Sequence, residues 1–154
     1  QKSESGVTKS CFSQWYESGF EEEGVYFSTA EHCMMYHKAK LFENKEIATQ
    51  VLNCSHPGEA KKLGREVVGF DEKVWNENRF QIVKNANLLK FSQNEELLTF
   101  LRNTGKRVLV EASPVDNIWG VGLAADNPEI ENPLNWKGQN LLGYALMLVR
   151  NYFA

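Results

Sequence analysis

A carboxylate and a primary amine lie seven residues apart at Glu31 and Lys38, in a stretch without Gly or Pro that predicts a helix. Seven helical residues make about two turns, so both side chains fall within ~20° of one face and ~10 Å apart along the axis. Met34 and Met35 lie between them, and an apolar face normally points inward, where each charge needs a partner or a ligand. The structural alternative, which spacing alone favours, is a helix-capping Glu31 and a Lys38 that reaches solvent.

A second candidate segment, residues 113–122, follows the strongest strand prediction of the chain, residues 106–112. Its candidate side chains and backbone positions are Ser113, Asp116, Trp119, Gly120 and Gly122. The two glycines would let backbone N–H groups approach an anionic ligand, as in a phosphate nest. Asp-Asn turns with glycine are also common structural connectors, so the pattern alone is weak evidence for a site.

Two residues of the longest predicted helix could also meet a ligand. Arg79 lies about 40° from Trp75 on the apolar stripe of that helix. An arginine on a buried stripe either pairs with a core carboxylate or reaches a ligand phosphate, and the structural pairing is the commoner case. Trp75 is more often part of a core than a stacking platform.

The remaining chemistry-bearing residues favour no metal or cofactor. His32 and His37 are five residues apart, so they face different sides of a helix, and His56 stands beside Pro57. The three cysteines do not cluster and are predicted to be small apolar core residues. No nucleophile elbow, P-loop or dinucleotide fingerprint occurs, which disfavours a serine hydrolase, a zinc enzyme or a nucleotide kinase.

Charge and composition narrow the class of ligand and the location. Positions 60–110 carry ten Lys/Arg against six Asp/Glu (+4) and the others seven against fourteen (−7), which gives the net charge of −3. A duplex-DNA binder usually shows a stronger basic stripe, so a small ligand or a single nucleotide is the better expectation. The odd cysteine count, the polar start and the lack of a long apolar run predict an intracellular protein, cytoplasmic or nuclear, without membrane contact.

These residues are positioned by many short helices and a small antiparallel sheet, a mainly α, multihelical α+β class in one compact domain. We expect a flexible N-terminal arm at 1–10 and a catalytic domain at 11–154. The other predicted strands are 12–16 and 25–27, joined by an acidic loop, and residues 113–140 form a long loop-rich stretch. Helices are predicted at 30–42, 44–52, 59–67, 71–91, 94–101 and 141–153.

Five segments, taken in order, carry a resemblance to a known family. They are Phe12-Ser13-Gln-Trp15-Tyr16, Thr29-Ala-Glu31-His32 with Lys38, Lys90-Phe-Ser-Gln-Asn94, Ser113-Pro-Val-Asp116 to Trp119-Gly-Val-Gly122, and Trp136-Lys-Gly138-Gln-Asn140-Leu-Leu-Gly143. In this order they resemble the NADAR family, also called YbiA-like, over almost the whole chain from about Cys11. One mild departure is Gln14-Trp15, where many members have Asn followed by Phe, and it concerns the contacts to a base.

The resemblance implies a mostly helical fold with a small sheet and an activity that hydrolyses N-glycosidic bonds. Family members remove ADP-ribose from modified guanine bases in nucleic acid, or break down reactive early intermediates of riboflavin synthesis. Glu31 and Asp116 match acidic positions linked to catalysis, Lys38 matches the motif lysine, and Trp75 is similar to a site tryptophan. Substrate contacts are expected from Phe12, Ser13, Trp15, Trp75, Arg79, Ser113, Trp119, Gly120 and Gly122.

Cleavage of a ribosyl C–N bond builds positive charge at the anomeric carbon, which a carboxylate such as Glu31 would stabilise while it activates water. Asp116 would orient the ribose hydroxyls or act as a second acid or base. Lys38, if neutral, could form a Schiff base with the opened sugar; if charged, it would bind a hydroxyl or phosphate. Three functions stay open: an ADP-ribosyl hydrolase acting on guanine in DNA, RNA or a nucleotide, a riboflavin-pathway hydrolase, and a non-catalytic ADP-ribose reader. The oligomeric state is likewise open.

Overall fold

The computed structural model describes residues 6–154, which form six α-helices, a two-stranded antiparallel sheet and three short 3₁₀ helices. The helices are α1 (Ala30–Leu41), α2 (Lys45–Asn53), α3 (Pro57–Arg65), α4 (Glu72–Ser92), α5 (Glu95–Arg102) and α6 (Leu141–Tyr152), and the strands are β1 (Phe20–Glu22) and β2 (Val25–Phe27). The chain divides after Asn103 into two compact units, of which the second is Thr104–Ala154. No helix in the described part is long and apolar enough to cross a membrane.

Helix α1 is the centre of the first unit, where it packs against α2, α3 and α4. Thr29 caps it, because the Thr29 hydroxyl accepts a hydrogen bond from the His32 N–H at 3.2 Å. The His32 ring fixes the same end: Nδ1 lies 2.7 Å from the Thr29 hydroxyl and Nε2 lies 3.0 Å from the Cys54 carbonyl. Burial lowers the pKa of His32, so the ring is neutral at pH 7, with Nε2–H donating to Cys54.

The hairpin β1–β2 rests on α1 and α4. Phe20 and Phe27 are paired across the two strands and pack on Cys33 of α1 and Ala86 of α4. A side-chain amide closes the outer edge of β1: the Gln93 carboxamide accepts from the Glu21 N–H at 2.8 Å and donates to the Glu21 carbonyl at 2.7 Å. The amide thereby replaces a neighbouring strand, which holds β1 in place without a third strand.

Helix α4 also holds the segment that precedes the hairpin. Lys90 is fully buried, and its Nζ donates to the carbonyls of Cys11 at 2.6 Å and Ser13 at 3.0 Å. One turn earlier, Asn87 donates to the Gln14 side-chain oxygen at 2.9 Å. Residues 11–14 are therefore positioned by hydrogen bonds from Lys90 and Asn87, two polar side chains on a buried face of α4.

The second unit is organised by Asn140, which immediately precedes α6 and has a left-handed backbone (φ 53°). Its side chain accepts from the Glu111 N–H at 2.9 Å and donates to the Leu109 carbonyl at 3.0 Å. The Val121 N–H donates to the Glu111 carbonyl at 3.0 Å. An amide side chain and a single backbone hydrogen bond thus tie the segment before residue 113 to the loop that leads into α6.

The predicted fold class is confirmed, and each of the six predicted helices occurs within one or two residues of its predicted ends. The strand predictions at 12–16 and 106–112 are wrong. The predicted arm lies outside the described residues up to position 5, and beyond it Val7 is buried and a 3₁₀ helix starts at Lys9.

Candidate active site

Glu31 is a buried carboxylate in the first turn of α1, with only 7% of its surface exposed. Its backbone N–H donates to the Gln14 carbonyl at 3.0 Å, so the segment held by α4 passes over the start of α1. An acidic side chain in the first turn of a helix interacts favourably with the helix dipole. Met34 and Met35 are also buried, as the predicted apolar face requires.

Lys38, two turns along α1, is half-buried between two aromatic rings. Its Nζ lies 4.7 Å from the centroid of the Phe70 ring and 5.3 Å from that of Trp75, distances typical of cation–π contacts. Trp75 is 8% exposed and belongs to the first turn of α4, and Phe70 precedes the Asp71 cap of the same helix. The amine therefore sits against an aromatic wall instead of extending freely into solvent.

The electrostatic environment makes the Lys38 amine easier to deprotonate. Burial lowers its pKa below the usual lysine value; the attraction of Glu31 acts in the opposite direction, and repulsion by Arg65 adds to the lowering. Burial outweighs the carboxylate. A lysine with a lowered pKa has a larger fraction of neutral amine near neutral pH than a solvent-exposed one, and the neutral amine is the nucleophilic form.

Trp15 stands at the edge of this region as an exposed aromatic side chain. It is 44% exposed and meets the His56 ring edge-on, with 5.7 Å between ring centroids. The Ser13 hydroxyl accepts from the Trp15 N–H at 3.1 Å and so shapes the turn that presents the indole. Phe12, by contrast, is half-buried and packs against Phe91 and Phe100.

Arg79 lies one turn after Trp75 on α4 and is half-buried. The sequence favoured a structural ion pair for it, but the part of the chain that the structure describes contains no salt bridge to this guanidinium. A half-buried arginine without a carboxylate partner has its donors available to an anion.

Asp116 in the second unit is the centre of a tight turn. Its carboxylate accepts from the N–H groups of Ile118 at 2.9 Å and Trp119 at 2.8 Å, and the Ser113 hydroxyl accepts from the Asp116 N–H at 3.2 Å. Glu111 is the second acidic group here: burial raises its pKa, and the negative charge of Asp116 raises it further. The sequence pointed to Asp116 and Ser113 but not to Glu111, which was taken as part of a strand.

The glycines of this loop are explained by close packing. A Cβ at Gly122 would collide with the Asn117 side-chain oxygen, and the backbone there is left-handed (φ 72°). A Cβ at Gly120 would lie 2.9 Å from the carbonyl oxygens of both Glu111 and Asp116. Both positions require glycine for the loop to pack on itself, and the phosphate nest stays a prediction.

The residue that sequence reasoning missed in the first unit is Phe70. A signal for it exists, because an apolar residue just before a helix cap often packs against the fourth residue of the helix, as a hydrophobic staple. With Asp71 as the cap of α4, these positions are Phe70 and Trp75, the two rings that flank Lys38.

Comparisons with known proteins agree with this architecture. The model of the NADAR domain family matches residues 2–154. An N-glycosidase of Acanthamoeba polyphaga mimivirus is 42% identical, and the match covers 97% of this chain and 89% of that protein. The chloroplastic riboflavin biosynthesis protein PYRR of Zea mays is 33% identical, and the match covers 85% of this chain but only 21% of that protein. The NMR structure of E. coli YbiA has a TM-score of 0.75 and 27% identity, and covers 93% of this chain and 77% of that one.

Proposed function

This chain belongs to the NADAR domain family, and from that premise we propose that it is an N-glycosidase that uses Glu31 and Lys38. The observation that carries the proposal is the pairing, on one face of α1, of a buried carboxylate with an amine whose pKa is lowered by burial against Phe70 and Trp75. Relatives of similar length from a virus and from Nostoc punctiforme are named N-glycosidases.

Glu31 supplies the charge that this reaction needs. As the C–N bond breaks, positive charge builds at the anomeric carbon, and a carboxylate held in a buried site stabilises it more strongly than one in water. The same carboxylate takes a proton from the attacking water and passes it to the departing nitrogen, which balances the hydrolysis. The products are the free base or nucleotide and the sugar with a hydroxyl at its anomeric carbon.

Lys38 provides a covalent route to the same products. Its neutral amine adds to the anomeric carbon and expels the base nitrogen, which takes up the proton that the amine loses. Opening of the sugar ring then leaves an imine between Lys38 and the ribose, and water hydrolyses this imine to release the sugar and the free amine. The lowered pKa supports this role, because burial favours the neutral amine. A charged Lys38 that binds a hydroxyl or phosphate is the alternative.

For the substrate, we propose ADP-ribose attached to a guanine base, in a nucleotide or in nucleic acid. Arg79 has donors for the pyrophosphate, and Trp15 has an exposed face for the base. Asp116, Ser113 and Trp119 belong to the second unit, and their roles stay predictions from the sequence: Asp116 as a ligand of the ribose hydroxyls or as a second acid or base, and Ser113 and Trp119 as substrate contacts.

A phosphorylated riboflavin intermediate is the second candidate, because a similar sequence forms part of a protein named for riboflavin biosynthesis. The two candidates differ in the bond cleaved and in the number of phosphates. We expect the purified chain to release ADP-ribose from ADP-ribosylated guanosine, measured by chromatography. Release from the riboflavin intermediate alone would replace the first candidate by the second, and tight ADP-ribose binding without turnover would identify a reader.

The covalent route has its own test. Borohydride added during turnover of the ADP-ribosylated substrate should leave a stable adduct on the chain, detected by mass spectrometry and assigned to Lys38. Lys38→Arg should abolish it, whereas Lys40→Arg, an exposed lysine of the same helix, should not. An adduct that persists in Lys38→Arg would contradict the Schiff base.

A further inference from the structure

The opposite side of α1 carries a second cluster of chemistry-bearing side chains. Cys33 and His37 are four residues apart, so they lie about one turn apart on the same side of the helix, about 160° and 120° around it from Glu31. Glu22 of β1 reaches the same place, and its carboxylate oxygen, the Cys33 sulfur and a His37 ring nitrogen lie within 4.8 Å of one another. The cluster is separate from the Glu31–Lys38 face and does not depend on the function proposed for that face.

Each member of the cluster is held by a rigid part of the first unit. Cys33 is 1% exposed and belongs to the core formed with Phe20 and Phe27. Glu22 follows Glu21, whose backbone N–H and carbonyl are both hydrogen-bonded to the Gln93 side-chain amide. Ligands that are positioned before the metal arrives lose little conformational entropy when it binds.

We propose that Glu22, Cys33 and His37 form a binding site for a divalent transition metal of the Zn²⁺ type. A sulfur, an imidazole nitrogen and a carboxylate oxygen are the three ligand types that Zn²⁺ takes in proteins, with distances of about 2.0–2.3 Å. Thiolate and imidazole ligands select against Mg²⁺ and Ca²⁺, which require oxygen. With three protein ligands, water fills the fourth position.

The charges and the access route suit this ion. A thiolate at Cys33 and a carboxylate at Glu22 balance the two positive charges of the metal, so the occupied site is neutral. The side chains of Glu22 and His37 are 31% and 32% exposed, which leaves solvent access to a cluster whose sulfur is buried. The third ligand, His37, is anchored on its helix between the rings of Phe27 and Tyr36.

Binding exchanges protons for the metal. In the metal-free protein His37 Nε2 and the Glu22 carboxylate are hydrogen-bonded at 2.6 Å. Zn²⁺ enters between them, and His37 then binds through Nε2 as the neutral Nδ1–H tautomer. The Cys33 thiol proton leaves to solvent as the sulfur becomes a thiolate ligand. Any second proton of a charged His37 leaves in the same way, and no oxidation or reduction occurs.

Co²⁺ is the probe of choice, because a thiolate-bound Co²⁺ shows a charge-transfer band in the near ultraviolet and tetrahedral Co²⁺ absorbs visible light. We expect the full chain, kept reduced with a non-coordinating phosphine, to develop both bands at one equivalent and to lose them when Zn²⁺ is added. Zn²⁺ should also raise the thermal midpoint by about 5 °C at a roughly hundredfold excess over its dissociation constant.

Matched variants decide which residues bind. Cys33→Ala should lose the charge-transfer band, and Cys54→Ala, which removes a more exposed thiol, should keep it. Because Cys33 is in the core, Glu22→Gln and His37→Gln provide tests at partly exposed positions: each should weaken Co²⁺ binding at least ~10-fold with an unchanged circular dichroism spectrum. The proposal is overturned by a wild-type chain without the bands, by a band that survives in Cys33→Ala, or by unchanged affinity in both Gln variants.

Discussion

The buried Lys90 makes a quantitative prediction about stability and pH. Burial lowers its pKa from 10.5 to about 8, and its Nζ donates to the Cys11 and Ser13 carbonyls. A neutral amine still has two N–H donors, so both hydrogen bonds survive deprotonation. Between the two pKa values the unfolded chain binds the proton and the folded chain does not. The free energy of unfolding therefore rises with pH across this window.

The size of the effect follows from the two pKa values. At about 1.4 kcal/mol per pH unit, the whole window is worth about 3 kcal/mol, of which about 1 kcal/mol falls between about pH 7 and pH 9. Cys11 has the opposite effect on the free energy of unfolding, because burial raises its pKa from 9.0 to about 11. Its contribution lowers the stability mainly above about pH 9. Burial also raises the pKa values of Cys33 and Cys54, so the Lys90 contribution is obtained from the difference between the wild type and a variant without this amine.

Urea unfolding of the wild type and of Lys90→Met, followed by tryptophan fluorescence, isolates this term because the other groups titrate in both proteins. Lys90→Met also removes two hydrogen bonds, so the absolute stabilities differ at every pH. The difference between the two free energies of unfolding should shift in favour of the wild type by about 1 kcal/mol from about pH 7 to pH 9. A constant difference would show that Lys90 is not buried as a charge at neutral pH, and would refute the reasoning.

Three other variants test the packing and the site. Gly122→Ala should lower the free energy of unfolding by about 2–4 kcal/mol, because the backbone there is left-handed and the new Cβ would collide with the Asn117 side chain. Gly105→Ala, at a left-handed position with open space around it, should lower it by only about 1 kcal/mol. Equal losses in urea unfolding would contradict this account of Gly122. Gln93→Leu should lower the free energy of unfolding by about 1–3 kcal/mol and speed hydrogen exchange of the Glu21 backbone N–H. Unchanged exchange would show that the Gln93 side chain does not hold the edge of β1. Arg79→Leu should raise KM for the ADP-ribosylated substrate at least ~10-fold with little change in kcat, and an unaltered KM would remove Arg79 from the phosphate site.

The helices were predictable because their signals are local. Thr29, Asn44 and Asp71 cap α1, α2 and α4 with the side-chain hydrogen bonds that their residue types and positions indicate. The apolar face with Met34 and Met35 likewise follows from helical spacing and is buried. The seven-residue spacing of Glu31 and Lys38 was therefore sufficient to place both on one side of α1.

The two wrong strands depended on partners that sequence patterns do not show. Residues 106–112 have strand-forming composition, but the hydrogen-bonding groups of Leu109 and Glu111 are taken by Asn140, about thirty positions further on. Residues 12–16 include three aromatic side chains, which favour a strand, but the Lys90 amine binds the carbonyls of Cys11 and Ser13 and holds the segment out of a sheet. In both places a distant polar side chain overrode the local preference.

The site was only partly predictable for the same reason. Phe70 could have been found from the staple position before Asp71, which is a local signal. Glu22 could not be joined to Cys33 and His37, because nothing in the spacing tells where a hairpin will rest on a helix. A search for metal ligands by histidine pairs misses a set with one histidine, one cysteine and one carboxylate.

The most direct test of the central claim is the N-glycosidase turnover of Glu31→Gln. This change keeps the size of a buried side chain and removes its charge, so the fold should persist while kcat falls by about 10²–10⁴-fold and KM changes little. Glu46→Gln, at an exposed acidic position in the first turn of α2, serves as the matched control and should retain wild-type turnover. A folded Glu31→Gln protein that cleaves substrate at the wild-type rate would contradict the assignment of Glu31 as the carboxylate that stabilises the breaking bond.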